Sequence, residues 1–164
     1  MLVLVGPPGA GKTTVGQLLA ERLNLPFRDT DVDVERTTGK TIPELFFDEG
    51  EAAFRSLEED AVSQALQDHD GVLSLGGGAV LSADTRRRLA GHRVVFLSVG
   101  LSDATKRVGM SAARPVLALN PRAQLALLLE ERLPLYREVA AAEVDPTGKE
   151  PEQVADEVVA ALRV

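Results

Sequence analysis

With 164 residues, 45% of them hydrophobic and only 4% aromatic, the chain is long enough for one domain with an aliphatic core. Its formal net charge of -7 argues against nucleic acid or an anionic membrane as a partner, since both are held by a broad basic surface. Cysteine is absent, which excludes disulfides, and the sequence has neither a signal-peptide pattern nor an apolar run of membrane-spanning length, so we expect a cytoplasmic protein.

The first motif is a glycine-rich loop between a predicted strand and a predicted helix. Leu2–Val5 is an apolar run typical of a buried parallel strand, and a helix is predicted from Lys12 to Asn24. The stretch between them has the spacing G-x-x-x-x-G-K-[ST] of a phosphate-binding loop. Its amides converge on an anion, Lys12 adds a cation for the outer phosphates, and Thr13 adds a hydroxyl for magnesium. We therefore expect a nucleoside triphosphate here, and a plain glycine turn is the disfavoured alternative.

Two carboxylates follow in the next predicted strand. Phe27 to Asp31 is predicted to be extended, and a period of two places Asp29 and Asp31 on the same side. One could hold hydrated magnesium, and the other could orient an acceptor hydroxyl or take its proton. The alternative is an Asp-rich turn that caps the following helix. Beside a phosphate loop, the functional interpretation is favoured.

A helical region comes next, and its last helix carries an arginine and a glutamate in an i, i+3 pair. Arg55 lies beside the predicted apolar stripe and Glu58 lies on it, where an unpaired charge is costly. We expect Glu58 to fix Arg55, with a plain surface salt bridge as the alternative. The predicted helices are 34–38, 43–50 and 51–67, and the stripe of the last is Phe54, Leu57, Ala61 and Ala65.

Strands and helices alternate through the rest of the chain. The alternation predicts a three-layer α/β/α fold with a central five-stranded parallel sheet, in which ligands lie outside the carboxyl ends of the strands. The segment 109–121 is long for a loop in a compact domain and is either functional or disordered. The further predicted strands are 72–75, 93–98 and 143–145, and the further helices are 82–89, 102–108, one from Arg122, and 151–162.

Three further features favour a ligand site. Gly76–Gly78 follows a strand, so its backbone can approach a substrate and donate N–H groups to it, although three glycines can also be a flexible turn. Arg132 falls within an apolar helix stripe and so needs an anion, unless it snorkels to the surface or Pro134 turns the face away. Arg114 lies in the irregular segment, where a mobile arginine could cover a triphosphate or simply be solvated, and Arg107 is equally ambiguous.

Taken in order, these motifs resemble the shikimate kinases, small phosphate-loop kinases built like nucleoside monophosphate kinases. The resemblance runs from residue 2 to about 151 and is strongest to actinobacterial members. The motifs that carry it are Gly6–Thr14, Asp29-Thr-Asp31, Arg36-Thr-x-Gly39, Phe54-Arg55-x-x-Glu58, Leu75-Gly-Gly-Gly78, Arg114-Pro115 and Arg132-x-Pro-Leu-Tyr136-Arg137.

The resemblance implies transfer of the γ-phosphoryl group of ATP to the 3-hydroxyl of shikimate, with Mg²⁺, by a single-domain monomer. The region 31–60 would bind shikimate and 109–121 would be a mobile lid. Lys12, Asp31 and Arg114 would be catalytic, and Thr13 would ligate magnesium, with Asp29 acting through water. The implied nucleotide-binding residues are Gly9, Ala10, Gly11, Lys12, Thr13, Thr14, Arg107, Arg114 and Pro151. The implied shikimate-binding residues are Asp31, Phe46, Phe54, Arg55, Glu58, Gly76, Gly77, Gly78 and Arg132.

Three other functions compete with this interpretation. A gluconate-type or nucleoside monophosphate kinase should have a different acceptor region. A GTPase switch needs an Asn-Lys-x-Asp base reader, but neither Asn24 nor Asn120 precedes a lysine. A non-catalytic relative is disfavoured because Lys12, Asp31 and Arg114 are all present.

Overall fold

The computed structural model of the chain describes residues 1–99 and 121–163. The predicted helix at 102–108 lies outside these residues, as do Arg107 and Arg114. The predicted lid at 109–121 lies outside them too, apart from its last residue, which begins a helix. None of the helices in the two described ranges has the length and apolar composition needed to span a bilayer.

Five short parallel strands form the middle layer: β1 (Leu2–Val5), β2 (Phe27–Asp29), β3 (Val72–Ser74), β4 (Arg93–Leu97) and β5 (Ala142–Val144). Their order in the sheet is β2-β3-β1-β4-β5. The central strand β1 pairs with β3 and β4, and Val3 lies opposite Leu73 and Val94. All four residues of β1 are buried, as a strand covered on both faces requires.

Seven α-helices are present in the described ranges. They are α1 (Lys12–Leu23), α2 (Thr30–Thr38), α3 (Ile42–Glu49), α4 (Glu51–Asp68), α5 (Ala83–Arg88), α6 (Pro121–Val139) and α7 (Pro151–Leu162). Side-chain caps fix several of the starts; for example, Thr41 accepts a hydrogen bond from the Glu44 amide and Ser82 accepts one from the Thr85 amide. Gly39 ends α2 with a φ of 70°, a left-handed conformation that suits glycine.

The helices cover both faces of the sheet and give two core layers. Because alternate residues of a strand point to opposite faces, Leu2 and Leu4 pack with α1 and α7, whereas Val3 and Val5 pack with α4 and α6. A smaller third cluster joins α2, α3 and α4 through Val34, Leu45 and Phe54. The predicted three-layer α/β/α fold with five parallel strands is therefore confirmed.

Several predicted bounds are wrong: α2 begins at Thr30 and not at residue 34, and β3 and β4 each end one residue earlier than predicted. The strand that was expected to reach Asp31 ends at Asp29, because the Asp29 carboxylate accepts a hydrogen bond from the Asp31 amide and so caps α2. The last strand is 142–144 rather than 143–145, since the Asp145 carboxylate accepts from the Thr147 amide in the following turn.

The buried face of α4 is also rotated from the predicted stripe. The buried positions are Phe54, Glu58, Val62 and Ala65, while Leu57 and Ala61 are half-buried. The predicted position of Glu58 on this face is confirmed, whereas Val62 and not Ala61 is the buried apolar residue of the next turn. Glu58 lies fully inside, at 3% exposure.

Candidate active site

The phosphate-binding loop joins β1 to α1 in a conformation that only glycine adopts easily. Gly9 and Gly11 have φ values of 83° and 88°, and Gly11 is the residue from which α1 begins. The Lys12 side chain is buried, and its Nζ donates to the carbonyl oxygens of Gly6 at 2.8 Å and Pro7 at 3.0 Å. The ammonium group thus lies within the loop. The cavity over the loop is lined by Gly9, Gly11, Lys12, Thr13, Thr14, Asp29, Asp31, Ser74 and Leu75.

Thr13 and Asp29 form a pair of oxygen donors at the edge of this cavity. The Thr13 hydroxyl donates to Asp29 Oδ2 at 3.0 Å. Hydroxyl and carboxylate oxygens are the ligands that Mg²⁺ prefers, and this ion usually takes the rest of its shell from phosphates and water. No cluster of three or more acidic, histidine or cysteine side chains able to hold a metal occurs in the described part of the chain. The pair fits a magnesium ion bound together with a nucleotide.

The glycine segment, Gly76–Gly78, follows β3 and is buried throughout. A Cβ atom added to Gly76 would lie 2.7 Å from both Asp31 Oδ1 and Glu58 Oε2. At Gly77 it would meet Pro8 of the phosphate loop at 2.9 Å, and at Gly78 it would meet the Arg55 guanidinium carbon at 2.5 Å. Close approach of these side chains therefore explains the three glycines.

Arg55 and Glu58 form the ion pair that their spacing predicts. Arg55 Nη1 lies 2.6 Å from Glu58 Oε1, and the guanidinium also stands 5.2 Å from the centre of the Phe54 ring. Burial raises the pKa of Glu58, while the Arg55 charge and hydrogen bond act to lower it. The pair therefore holds Arg55 against the glycine segment, and the Phe46 ring packs on Phe54 at 4.9 Å.

Arg132 on α6 is buried at 4% exposure, as the stripe predicted. The helix continues through Pro134, so this proline does not turn the face away. Among the described residues, Arg132 Nε has no hydrogen-bond partner, and neither has Arg55 Nε, which lies 3.6 Å from Glu51 Oε1 in a longer ion pair. Two guanidinium groups with buried, unsatisfied donors make a fitting site for an anion such as a carboxylate.

These groups meet in a second cavity, here called the acceptor cavity. Its volume is about 30 Å³, so a ligand larger than a few waters must displace side chains at its rim. Asp31 lines both the acceptor cavity and the phosphate-loop cavity, and so stands between them. The lining residues are Pro8, Asp31, Ile42, Phe46, Phe54, Arg55, Glu58, Gly76, Gly77, Gly78, Leu128 and Arg132.

A larger cavity, of about 550 Å³, opens on the other side of Arg55 between α4 and residues 78–85. Its lining contains neither Asp31 nor any residue of the phosphate loop. Because phosphoryl transfer needs both, the smaller acceptor cavity is the better candidate despite its size.

The predicted residues fall into three groups. Asp31, Phe46, Phe54, Arg55, Glu58, Arg132 and the three glycines meet in one cavity, and the phosphate-loop residues meet in the other. Ala10 is buried beneath the loop, and Pro151 is the first residue of α7, which packs on α1. Arg107 and Arg114 lie outside the described residues.

Sequence reasoning missed two contacts in this site. Pro8 was treated only as part of the loop, yet it touches the glycine segment. Tyr136 was taken to be one more residue of the apolar stripe around Arg132, yet its hydroxyl donates to the Gly77 carbonyl at 2.6 Å. The sequence did offer one indication of this contact: Tyr136 lies one helical turn after Arg132 and so shares its face of the helix.

Comparison with known proteins agrees with this geometry. The family model described as shikimate kinase matches residues 8–163. The shikimate kinase of Salinispora arenicola is 61% identical over 98% of this chain and 96% of its own length, and that of Streptomyces coelicolor is 56% identical over 100% and 96%. The solved structure of Acinetobacter baumannii shikimate kinase in complex with shikimate superposes with a TM-score of 0.95, at 38% identity, and the match covers 99% of this chain and 92% of that one.

The family match extends over nearly all of the chain, and the same residues build a phosphate loop and a neighbouring cavity lined by Arg55 and the buried Arg132. Sequence, fold and site therefore lead to one assignment. The chain belongs to the shikimate kinase family.

Proposed function

We propose that this chain transfers the γ-phosphoryl group of ATP to the 3-hydroxyl of shikimate, giving shikimate 3-phosphate and ADP on the route to chorismate and the aromatic amino acids. One observation carries the proposal. Buried Arg132 and half-buried Arg55, whose Nε atoms are both buried without a hydrogen bond, line a cavity that shares Asp31 with the phosphate-loop cavity. An acceptor with a carboxylate at one end and hydroxyls at the other matches that arrangement.

The phosphate loop is proposed to hold ATP by its triphosphate. The left-handed glycines direct the loop amides and the start of α1 toward the cavity, where they can donate to phosphate oxygens. Lys12 lies inside the loop and would neutralise the outer phosphates. The expected contacts of Arg107, Arg114 and Pro151 with the nucleotide stay predictions.

Thr13 and Asp29 are proposed to hold Mg²⁺, Asp29 through water, and the hydroxyl–carboxylate pair at 3.0 Å supports this. When bound, magnesium neutralises charge on the phosphate oxygens. The chain's own contribution is to fix these two oxygens at the cavity edge, since Asp29 is also held by the Asp31 amide.

Shikimate is proposed to place its carboxylate on Arg55 and Arg132, with its ring against Phe46 and Phe54. Both rings line the acceptor cavity and contact each other at 4.9 Å between centroids. Its 3-hydroxyl would then face Asp31, at the boundary with the phosphate-loop cavity.

In the proposed transfer, the acceptor oxygen forms a bond to the γ-phosphorus while the bond to the β–γ bridging oxygen breaks and ADP leaves. Asp31 either accepts the hydroxyl proton or only orients the hydroxyl, and the loose transition state of phosphoryl transfer is compatible with both. Residues 31–60 would form the acceptor-binding region of a single domain. We further propose that it acts as a monomer.

A test of acceptor choice examines the proposal most directly. Coupled ADP release is measured with ATP and Mg²⁺ and, in turn, shikimate, gluconate and AMP, with an acceptor-free reaction as the background. We expect release above background with shikimate only, at a turnover on the order of 1–100 s⁻¹ as is typical of kinases. ADP release with gluconate alone would overturn the assignment. Failure of all three acceptors to raise ADP release above background would overturn it as well.

A further inference from the structure

Tyr136 joins the helix that carries Arg132 to the glycine segment. Its side chain is fully buried, and its hydroxyl donates a hydrogen bond of 2.6 Å to the Gly77 carbonyl oxygen. Arg132 and Tyr136 are four residues apart and therefore share one face of α6. The helix thus lines the acceptor cavity with one residue and holds the neighbouring backbone with the other.

Core packing alone does not require this hydroxyl. The Tyr136 ring stacks on Phe96 with centroids 4.9 Å apart and an interplanar angle of 26°, and a phenylalanine would keep that contact. Gly77, in contrast, is buried, and its carbonyl needs a donor. The hydroxyl therefore acts on the backbone of the glycine segment.

Gly77 also touches the phosphate loop on another side. A Cβ atom there would lie 2.9 Å from Pro8 Cδ, so no gap separates the two segments. Its neighbours Gly76 and Gly78 lie against Asp31 and Arg55 respectively. The backbone held by Tyr136 thus lies between the phosphate-binding loop and the acceptor cavity.

We propose that Tyr136 is a positioning residue for phosphoryl transfer, whose hydroxyl holds the Gly77 carbonyl and so sets the distance between the phosphate loop and the acceptor cavity. This inference rests on the proposed function. Burial raises the pKa of Tyr136 to about 12, although the nearby Arg132 guanidinium acts to lower it. The hydroxyl therefore stays protonated, and able to donate, at any pH near neutrality.

The test compares two variants by steady-state kinetics in both substrates. Tyr136→Phe keeps the ring and removes the donor, so we expect kcat with shikimate to fall about tenfold while the KM for ATP changes less than about twofold. Phe96→Leu is the matched control, because it removes the stacked ring and keeps the hydroxyl. We expect this control to lower the melting temperature and to retain the wild-type kcat.

Two results would overturn the positioning role: wild-type kcat in Tyr136→Phe, or equal losses of kcat in both variants, which would indicate packing. Wild-type protein that is inactive toward shikimate would instead overturn the proposed function, so the two failures are distinguishable.

If Tyr136→Phe does not fold, 3-fluorotyrosine provides a second measurement, since the chain has only one tyrosine. The fluorine lowers the phenol pKa and keeps both ring and hydroxyl. We expect the alkaline loss of kcat to move to lower pH in the fluorinated protein. Superimposable pH profiles of kcat would overturn the proposal.

Discussion

At the scale of single residues, Glu58 shows how burial and charge oppose each other in this site. Burial is the largest influence on its carboxyl and raises its pKa, and the charge of Asp31 acts in the same direction. Arg55 and Arg132 act to lower it. Ionisation of Glu58 therefore comes at a cost to stability, and what its position supplies is a fixed Arg55.

This balance gives a prediction for Glu58→Gln. A carboxyl whose folded pKa exceeds its unfolded value of 4.5 supports folding fully below that pH and loses this contribution as pH rises. Glutamine cannot ionise, so the variant lacks this pH dependence. We therefore expect the difference in unfolding free energy, wild type minus Glu58→Gln, to fall as pH rises from 4.5. The slope should not exceed about 1.4 kcal/mol per pH unit, the limit for one proton.

Urea unfolding of both proteins between pH 4 and 8 measures this slope. The KM for shikimate should also rise in Glu58→Gln, because Arg55 loses its charged partner. A stability difference that grows in favour of the wild type with rising pH would mean that the ion pair outweighs the cost of burial.

At the scale of elements, the glycine segment and α4 are built as one unit. The Arg55 guanidinium lies where a side chain at residue 78 would be, and it is the flexible end of a long side chain. Added bulk at Gly78 would therefore move Arg55 without disturbing the strand beneath. Stability and acceptor binding should respond differently to such a change.

For Gly78→Ala we expect a loss of about 1 kcal/mol or less in unfolding free energy, as for substitutions that a flexible neighbour absorbs. The KM for shikimate should rise at least about tenfold, about 1.4 kcal/mol, because Arg55 is displaced, while the KM for ATP stays near that of the wild type. Urea unfolding and steady-state kinetics in both substrates check the two parts.

Gly16→Ala is a matched control for this change. A Cβ at Gly16 would meet the Phe27 ring at 2.5 Å, within the core beside α1. This crowding should cost about 1–3 kcal/mol of stability and leave the KM for shikimate unchanged. If both variants raised that KM alike, the displacement of Arg55 would not be the cause.

The elements themselves were largely predictable from the sequence, because apolar runs and capping residues specify them locally. Helix α7 was predicted at its observed bounds, and Ser82 caps α5 as expected. The end of β2 was missed because one side-chain hydrogen bond, from the Asp31 amide to Asp29, decides it. The burial of Glu58 on α4 was predicted, but Leu57 and Ala61 are only half-buried, because tertiary packing selects Val62 instead.

At the scale of the whole molecule, strand ends and helices from distant parts of the chain bring the site together. The acceptor cavity combines Asp31 after β2, the glycine segment after β3, Arg55 on α4 and Arg132 on α6. That these residues would share one site followed from the parallel sheet and the charge pattern. The contact of Tyr136 with Gly77, 59 positions apart, depends on how α6 docks and could not be predicted from local sequence.

Tyr136 also connects the site to the stability of the whole fold at alkaline pH. Its folded pKa of about 12 exceeds the ordinary value of 10.0, so the stability it contributes is complete below pH 10 and is lost as pH rises toward 12. The wild type should therefore lose more unfolding free energy across this range than Tyr136→Phe does.

Since the chain has one tyrosine and no tryptophan, tyrosinate absorbance reports on this residue alone. The absorbance should develop together with unfolding, measured in parallel by circular dichroism. Titration with a midpoint near pH 10 in still-folded protein would contradict the assignment of a buried, hydrogen-bonded phenol.

The order of the strands has a consequence for how the reaction distance is set. β1, which leads into the phosphate loop, and β2, which leads into Asp29 and Asp31, are separated only by β3. Neighbouring strands lie about 4.8 Å apart, so backbone hydrogen bonds hold β1 and β2 about 10 Å from each other, and Tyr136 is proposed to fix the glycine segment within that frame. In the proposed function, helices α2 to α4 carry most of the acceptor-binding side chains but do not set this distance. Replacement of residues 31–60 by the equivalent region of another kinase should therefore change which hydroxyl is phosphorylated. The distance between the phosphate loop and the acceptor hydroxyl should stay the same.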